Sequence, residues 1–398
     1  MASTRKRPPR TAGGSASYQV RFRDPAGTQR SRSFATNAQA KAFKATVEAD
    51  MVRGTYVDHS LGDVTLAEYA VAWLSDQTFA ESTREQTELR LRLHILPTLG
   101  DTRLNALRRS QIQSWVRGRQ QAGLSARTIR VVVSLLVAVL NAAVADERIV
   151  RHPCPPGTLK LPTVPTRRVV PWTDEQVSSL RRELPERYAV LVALVTGLGL
   201  RQGEAFGLAV EDINFLKQTV RVQRQVKIVR SKLVFDLPKG RKVRDVPLPS
   251  SVARVLSAYI QTFPSRAVTL PWETSQGRPT TARLLLTSRE GGALNRNYLN
   301  KAIWKSALTR AGVATGRENM MHGGRHYYAS VQLEAGTSIR ALAEYLGHAD
   351  AGFTLRVYTH LMPQAEDKAK RAVDDAFDRL ENVPISPLSG PDVAQGRL

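Results

Sequence analysis

Six side chains in the second half of this 398-residue chain are of the types that phosphate chemistry uses. Attack on a phosphodiester concentrates negative charge on the phosphate oxygens, and arginine, lysine and histidine can stabilise that charge where no metal ion does. A tyrosine hydroxyl can serve as the nucleophile. Each residue alone is more often structural, so their order along the chain matters. They are Arg201, Lys239, His322, Arg325, His348 and Tyr358.

Other catalytic patterns do not occur in the sequence. It has no Walker A loop, no GxGxxG after a strand, no HExxH and no GxSxG. Its acidic residues do not cluster as a two-metal nuclease site requires. The seven histidines are scattered, and the single cysteine, Cys154, excludes a disulfide framework and a cysteine-based zinc cluster. We therefore expect no metal and no cofactor.

The charge balance points to a polyanionic partner. Lys plus Arg number 58 and Asp plus Glu 35, a net charge of +23, and nucleic acid is the first candidate. The basic N-terminus, MASTRKRPPR, is not followed by the apolar segment of a secretory signal. The apolar run Val131–Ala145 is shorter than the ~20 residues that span a bilayer. We expect a cytoplasmic protein without a membrane partner.

The six residues and their neighbours resemble the tyrosine recombinase family, of the phage-integrase type. The motifs that carry the resemblance are TG-x-x-x-R-x-GE, KG-x-K-x-R-x-VPL, HGGRH, LGH and YTH. The order of the six residues is highly specific, and the resemblance covers almost the whole chain. One departure is clear, because Gly323-Gly324 stands where the family commonly has Asp-Leu.

The resemblance implies a role for each residue, and the chemistry supports these roles. Tyr358 is the nucleophile that forms a 3'-phosphotyrosyl link and releases a 5'-hydroxyl. Arg201 and Arg325 hold the two non-bridging phosphate oxygens through paired, charge-assisted hydrogen bonds. Lys239, at a hairpin tip, is the general acid that protonates the leaving 5'-oxygen.

The remaining polar residues of the motifs support those groups. His322 and His348 add donors to the phosphate oxygens or shuttle the tyrosine proton. Glu204, three residues after Arg201, is expected to orient that arginine and the histidine of the HGGRH motif. Because the fixed cations repel one another, the free site is poised for an anion, and most of all for the transition state.

The elements that position these residues predict an α+β multidomain protein. Residues 1–15 are expected to be a disordered basic tail. Residues 16–60 predict a small β-sheet plus a helix, which the resemblance implies is an arm-type DNA-binding domain. Residues 1–60 hold 11 basic and 4 acidic residues. Its two strands predict a hairpin with an arginine-bearing face, on which a β-sheet can read a DNA groove, and four arginines of the hairpin are predicted to bind DNA. They are Arg21, Arg23, Arg30 and Arg32.

Residues 61–152 predict an all-helical domain, which the resemblance implies is the core-binding domain. Capping boxes at Thr65, Ser82 and Ser110 each open a segment with apolar residues at helical spacing. Four arginines flank the segment between two of its helices and either form a solvated face or grip phosphates. They are Arg117, Arg119, Arg127 and Arg130.

A Pro-rich segment, 153–170, predicts a semi-rigid linker. Residues 171–383 predict a mostly helical catalytic domain with a small antiparallel sheet. Its last helix, 365–380, carries Phe377 and Leu380 on an apolar face, which predicts docking either in cis or on a neighbouring subunit. Residues 384–398 predict a flexible tail.

The leading hypothesis is a site-specific integrase of a phage or other mobile element. Its implied partners are double-stranded DNA at core-type and arm-type sites, a host DNA-bending protein and a directionality factor. The resemblance also implies a tetramer on DNA and the nucleoid of a bacterial host. A type IB topoisomerase-like enzyme, a chromosome-dimer-resolving recombinase and an inactive DNA-binding regulator remain alternatives.

Overall fold

The computed structural model describes residues 2–8, 16–25, 27–54, 56, 59–165, 168–359 and 366–381. The chain divides into two compact units, Met1–Thr166 and Arg167–Leu398. The division lies inside the segment 153–170 that the sequence predicts as a linker.

The N-terminal part is a three-stranded antiparallel sheet with one helix against it. The strands are β1 (Ser3–Arg7), β2 (Ser17–Arg23) and β3 (Gln29–Phe34), in the order β1-β2-β3, and α1 spans Asn37–Val52. Val20 and Phe22 alternate along β2 and are buried, together with Ala40 and Val47 of α1. Period-two alternation on the strand and helical spacing on α1 thus produce one small core.

Residues 1–15 are predicted to be disordered, and this prediction is wrong for Ser3–Arg7, which form β1. Ser3–Arg7 pairs with β2 over five residues, from Ser3 opposite Arg21 to Arg7 opposite Ser17. These residues are exposed and have no apolar alternation, so the strand forms by hydrogen bonding to an open edge rather than by burial. The rest of the predicted tail, 9–15, lies outside the described residues, as does 384–398.

The next part is wholly helical, as predicted. It comprises α2 (Leu66–Asp76), α3 (Glu81–Arg90), a π-helical turn (Leu91–Ile95), α4 (Leu96–Leu99), α5 (Arg109–Gln121) and α6 (Ala126–Ala145), with 3-10 turns at His59–Asp63 and Leu104–Ala106. The capping box at Thr65 is confirmed. Those at Ser82 and Ser110 are wrong, because α3 and α5 begin earlier and have Ala80 and Arg108 as N-caps.

Helix α6 is the central helix of this part. Its 20 residues are long and apolar enough to cross a membrane by length and composition alone, although the uncharged run within it is shorter. Seven of its residues, including Val132, Leu136 and Leu140, are buried in the helical core. The burial explains the apolar composition, since a core helix passes the same test.

The first half of the predicted linker is not free of the helical part. Cys154 is buried in its core, and Leu159 and Leu161 pack against that core. The side chain of Gln113 exchanges two hydrogen bonds with the backbone of Lys160, at 2.9 and 3.0 Å. These contacts restrict the linker to the residues that follow.

The second unit is mostly helical, as predicted. Its helices are α7 (Asp174–Glu183), α8 (Glu186–Gly197), α9 (Gln202–Gly207), α10 (Ser250–Thr262), α11 (Arg296–Tyr298), α12 (Lys305–Arg310), α13 (His322–Glu334), α14 (Ile339–Leu346), α15 (Ala351–Tyr358) and α16 (Glu366–Glu381). A π-helical turn, Leu299–Trp304, joins α11 to α12, and 3-10 turns lie at Val210–Asp212 and Arg317–Asn319. The apolar run of α8 is buried at the centre of the core, which fixes the start of α9.

Its strands form three small antiparallel sheets in the described part, where the sequence predicts one. The first has the order β4-β5-β8, from β4 (Ile213–Asn214), β5 (Thr219–Val222) and β8 (Arg244–Pro247). The hairpin β6 (Gln225–Val229) with β7 (Lys232–Asp236) and the pair β9 (Arg266–Pro271) with β10 (Pro279–Leu284) are the others. The fold class predicted from the sequence is confirmed.

Candidate active site

Arg201 and Arg325 meet at the turn between α8 and α9. Gly199 has a φ of +61°, a left-handed conformation that favours glycine, and Arg201 is the N-cap of α9. A Cβ on Gly199 would lie 2.5 Å from Cδ1 of Tyr328. The carbonyl oxygen of Gly199 accepts a hydrogen bond from Nη1 of Arg325 at 2.7 Å. The turn therefore joins the two arginines of the motif set.

Glu204 holds Arg201 from inside the core. Its carboxylate accepts from Nη1 of Arg201 at 2.8 Å and from Nη1 and Nη2 of Arg244 at 3.1 and 2.7 Å. Burial alone would raise the pKa of Glu204, but the hydrogen bond and charge of Arg244, with the charges of Arg201 and Arg325, lower it to about 2. The carboxylate stays ionised, as an orienting role for Arg201 requires.

Three arginines bind three successive backbone carbonyls at the end of α14. Nε of Arg244 donates to Tyr345 at 2.7 Å, Nη2 of Arg325 donates to Leu346, and Nη2 of Arg201 donates to Gly347 at 3.0 Å. The C-terminal end of a helix carries unsatisfied carbonyls and partial negative charge, so it attracts cations. The turn that leads to His348 thereby fixes the positions of the three arginine side chains.

The guanidinium of Arg325 is fully buried and one of its donors is unused. Its Nε has no hydrogen-bond partner among the described residues. Burial and the charge of Arg201 lower the pKa of Arg325, while the charge of Glu204 opposes them. A buried donor left unpaired costs free energy, and a phosphate oxygen is an acceptor of the kind that would satisfy it.

Tyr358 ends α15 and is buried, with 1% of its surface exposed. Burial raises the pKa of its hydroxyl to about 12, and the charges of Arg325 and Arg201 oppose this rise. The hydroxyl lies 2.8 Å from Nδ1 of His326. His326 in turn packs edge-on against His322, with ring centroids 4.5 Å apart.

The two histidines selected from the sequence lie elsewhere in the site. Nδ1 of His348 is 2.7 Å from Oγ1 of Thr354, and desolvation, then the charges of Arg325 and Arg201, lower its pKa to about 3. His322 is exposed at the start of α13. Desolvation by the surrounding protein, then the charges of Arg325, Arg201 and Lys239, lower the pKa of His322 to about 4.

Lys239 lies in the turn after β7 and is exposed. The structure brings it near enough to act electrostatically on His322, and it leaves the ammonium on a flexible stem at the edge of the site. Among the described residues, no group of three or more His, Cys, Asp or Glu side chains is arranged to hold a metal ion.

Packing explains the departure at Gly323-Gly324. A Cβ on Gly323 would lie 2.7 Å from the ring of Trp172, and a Cβ on Gly324 would lie 2.4 Å from Cγ2 of Val195. Trp172 also stacks on Trp304, with ring centroids 6.4 Å apart. In this chain the tryptophan and valine fill the space that larger residues would need, and His322 and Arg325 keep their places on α13.

Sequence reasoning missed two residues of the site, His326 and Arg244. His326 follows Arg325 directly, and its place in HGGRH, one helical turn after His322, is a signal that reasoning could have used. Arg244 sits in KG-x-K-x-R, but its partners Glu204 and Tyr345 are 40 and 101 residues away. No local pattern reveals such contacts.

The four arginines of the N-terminal sheet do not all share one face, and DNA binding by them stays a prediction. Residues directly opposite on paired strands point to the same side. Phe22 is opposite Arg30 and Val20 is opposite Arg32, so Arg30 and Arg32 lie on the side that faces α1. The other pair, Arg21 and Arg23, lies on the open side.

Each side of the sheet treats its arginines differently. On the helix side, Arg32 lies over the rings of Phe34 and Phe43, at 5.6 and 5.2 Å, and Arg30 pairs with Asp24 at 3.0 Å. On the open side, pairing of β1 adds two further arginines. The open face of the sheet is therefore defined by Arg5, Arg7, Arg21 and Arg23.

The four arginines of the helical part also divide. Arg117, Arg127 and Arg130 are exposed, and Arg119 is partly buried. Nη2 of Arg119 donates to Oγ1 of Thr98 at 3.3 Å, and Nε of Arg130 donates to the carbonyl of Pro162 at 3.0 Å. Phosphate binding by these four stays a prediction.

Two family models and many known proteins match this chain. The model of the Phage integrase family matches residues 172–365, and that of the phage integrase N-terminal SAM-like domain matches residues 65–118. A protein named "Tyrosine recombinase XerC-like" from Caldanaerobacter subterraneus subsp. tengcongensis is 28% identical over 86% of this chain and 90% of its own. The integrase of Mycobacterium phage L5 is 26% identical over 80% of each chain.

Solved structures share the fold. The Tn1549 transposon integrase, in complex with a circular intermediate DNA, superposes with a TM-score of 0.64 at 20% identity, over 79% of this chain and 99% of that one. A lambda integrase tetramer bound to a Holliday junction gives a TM-score of 0.58 at 16% identity, over 84% and 91% of the two chains.

The fold and the site define a site-specific DNA recombinase of the tyrosine type. The chain belongs to the phage integrase family, with a SAM-like domain before the catalytic domain.

Proposed function

We propose that this recombinase integrates a phage or other mobile element into DNA and excises it again, through a 3'-phosphotyrosyl intermediate. One observation carries the proposal: Tyr358, Arg201 and Arg325 of a single subunit belong to one site, whose buried Nε of Arg325 lacks a partner among the described residues. The integrase of phage L5 and the Tn1549 transposon integrase support the proposal as relatives of this chain.

The bond changes follow from the residues. The hydroxyl oxygen of Tyr358 forms a bond to phosphorus, and the bond from phosphorus to the 5'-oxygen breaks. Arg201 and Arg325 stabilise the charge on the non-bridging oxygens, and Lys239 donates a proton to the leaving oxygen. The phosphotyrosyl link keeps the energy of the bond, so a hydroxyl from another strand can reverse the step without ATP.

The supporting residues have narrower roles. Glu204 orients Arg201 through the contact at 2.8 Å. His322 and His348 donate to the phosphate oxygens, because both lie among the cations that bind them. The low pKa values keep both imidazoles neutral until an anion arrives, and a bound phosphate would raise them.

The DNA contacts are divided between the domains. We propose that 16–60, together with β1, reads arm-type sites with the open face of its sheet, and that 61–152 binds core-type sites through Arg117 and Arg127. A two-stranded or larger sheet fits the major groove of B-DNA, and arginine is the residue that most often reads guanine there. Removal of residues 1–60 should leave core-site cleavage and abolish integration.

We further propose a tetramer on DNA, as the lambda integrase forms on a Holliday junction. Val373 and Phe377 of α16 are 54% and 61% exposed, which leaves an apolar stripe for a neighbouring subunit; the side chain of Leu380 lies outside the described residues. A host DNA-bending protein, a directionality factor and a place in the cytoplasm at the bacterial nucleoid complete the proposal.

A nicked suicide substrate tests the chemistry. Wild-type protein should become covalently linked to the DNA 3' end, and Tyr358→Phe should bind DNA normally and form no adduct, because only the hydroxyl is removed. Adduct formation by Tyr358→Phe would assign the nucleophile elsewhere. Absence of any wild-type adduct would favour the inactive regulator.

A substrate with a 5'-bridging sulfur tests Lys239. A thiolate leaves without a proton, so Lys239→Ala should cleave this substrate nearly as wild type does and fail on the natural one. Equal impairment on both substrates would contradict the general-acid role. Relaxation of a supercoiled plasmid without strand exchange between two sites would favour the topoisomerase alternative.

A further inference from the structure

One contact of the nucleophile is not used by the roles above. The hydroxyl of Tyr358 lies 2.8 Å from Nδ1 of His326, and the two rings meet edge-on with centroids 5.6 Å apart. Nδ1 of His348 instead lies 2.7 Å from Oγ1 of Thr354, and the ring of His322 packs edge-on against the ring of His326. His326 is therefore the imidazole in contact with the reacting oxygen.

We propose that His326 is the proton acceptor for Tyr358 in strand cleavage and returns that proton in rejoining. The inference rests on the proposed function, since it assigns a residue to the same reaction. In cleavage, the oxygen–phosphorus bond forms, the phenolic proton passes to Nδ1, and the 5'-oxygen leaves with a proton from Lys239. Rejoining reverses each transfer, so atoms and charges balance.

The surroundings of His326 suit a neutral acceptor. Burial, then the charges of His322 and Arg325, hold its pKa at about 3, so the ring has a free lone pair at every working pH. With the ring proton on Nε2, Nδ1 accepts the phenolic O–H. These two neighbours and Tyr358 are the titratable groups of the described residues that act on it.

The proton need not move before the bond to phosphorus forms. The phenol of the free site has a pKa of about 12, so transfer to a weak base is unfavourable in the resting state. As phosphorus bonds to the oxygen, the oxygen loses its basicity and the proton becomes acidic. The incoming phosphate also places negative charge beside Arg325, which strengthens the imidazole as a base.

The test compares His326→Asn with wild type in single-turnover cleavage of the suicide substrate. Asparagine keeps a hydrogen-bonding atom near the place of Nδ1 but cannot take the proton. We expect the cleavage rate to fall by about 100-fold or more, the range of general-base loss. DNA affinity and melting temperature should not change. A rate within about threefold of wild type overturns the proposal.

A second measurement separates proton transfer from simple positioning. Replacing Tyr358 with a fluorinated tyrosine lowers the pKa of the phenol, so the nucleophile depends less on a base. The defect of His326→Asn should then shrink by about tenfold or more. The same loss with both tyrosines would assign His326 a structural role only.

A matched control is His348→Asn, whose defect should not change with the fluorinated tyrosine, because Nδ1 of His348 is bound to Thr354 while His326 contacts the hydroxyl of Tyr358. The outcomes also separate this inference from the proposed function. If wild type forms no adduct, the proposed function fails. If wild type forms the adduct and the His326 variants behave as wild type, only the assignment of His326 fails.

Discussion

The arginines of the catalytic site and those on the open face of the N-terminal sheet are one residue type in opposite environments. Arg325 and Arg244 are buried, and backbone carbonyls and a carboxylate fix them. Arg5, Arg7 and Arg23 on the sheet are exposed. A fixed cation is set in place before the transition state forms, whereas an exposed one adjusts to a DNA backbone and is screened by salt.

This difference separates two kinds of experiment. Changes at the buried arginines should alter stability and the chemical step and should be insensitive to salt. Changes on the open face should alter DNA affinity and its salt dependence and leave cleavage of a core site intact.

Glu204→Ala should have the largest effect. It removes the carboxylate that pairs with Arg244 and Arg201 and leaves the Arg244 side chain, 2% exposed, as an uncompensated buried charge. Breaking a buried pair in this way costs about 3–5 kcal/mol of the free energy of unfolding. Urea denaturation measures that loss, and an unchanged midpoint would show that the pair contributes little.

The same carboxylate predicts an acid response. The pKa of Glu204 is lowered from its ordinary value of 4.5 to about 2 in the folded state. A lowered pKa gives stability that is present above about pH 4.5 and is lost as the pH falls toward 2. Melting temperatures measured across this range should fall less steeply in Glu204→Gln, and parallel curves would contradict the assignment.

Arg201→Ala should come next, through the chemical step. Loss of one donor to the phosphate oxygens should cost about 3–4 kcal/mol of transition-state stabilisation, as for a strong oxyanion donor. Single-turnover cleavage at saturating enzyme measures it. Arg221→Ala, which removes an exposed arginine of β5, is the matched control and should cleave normally.

Packing around the HGGRH motif gives the fourth prediction. Gly324→Ala places a Cβ 2.4 Å from Cγ2 of Val195, and overpacking of this kind costs about 1–3 kcal/mol. Adding Val195→Ala makes room, so the double variant should lose less stability than the two single changes summed. Strict additivity in thermal melts would show that the two residues do not compete for space.

Sequence reasoning reached the catalytic set because its signals are local. TG-x-x-x-R-x-GE and LGH place Arg201, Glu204 and His348 at helix ends, where short spacings determine the geometry. It missed Arg244 and His326, whose importance comes from partners that only the fold brings near. The hydrophobic periodicity of the sequence does not predict tertiary contacts of this kind.

The same limit explains the errors at the N-terminus and in the linker. Alternation predicted β2 and β3, but the face on which Arg30 and Arg32 lie depends on strand register, which pairs them with Phe22 and Val20. Proline content predicted a semi-rigid linker over 153–170, yet a few apolar residues such as Leu159 pack its first half against the helical core.

The smallest expected effect is on DNA binding by the N-terminal sheet, where arginines on its two sides can be compared directly. Arg21→Ala with Arg23→Ala and Arg30→Ala with Arg32→Ala each remove two positive charges from one sheet. If the open face binds arm-site DNA, the first double variant should lower the slope of log K against log salt by up to about 2, since each phosphate contact contributes about 0.9. The second should change the slope little.

The helix-side pair should act on stability instead. Arg32 lies over two aromatic rings and Arg30 pairs with Asp24. The double variant of Arg30 and Arg32 should therefore lower the free energy of unfolding of the N-terminal sheet by about 0.5–2 kcal/mol, measured by thermal melting. The charge removed is equal in both variants, so only the side of the sheet differs between them. Equal salt slopes for the two would mean that DNA senses the net charge of the sheet, and that its open face has no special part in binding.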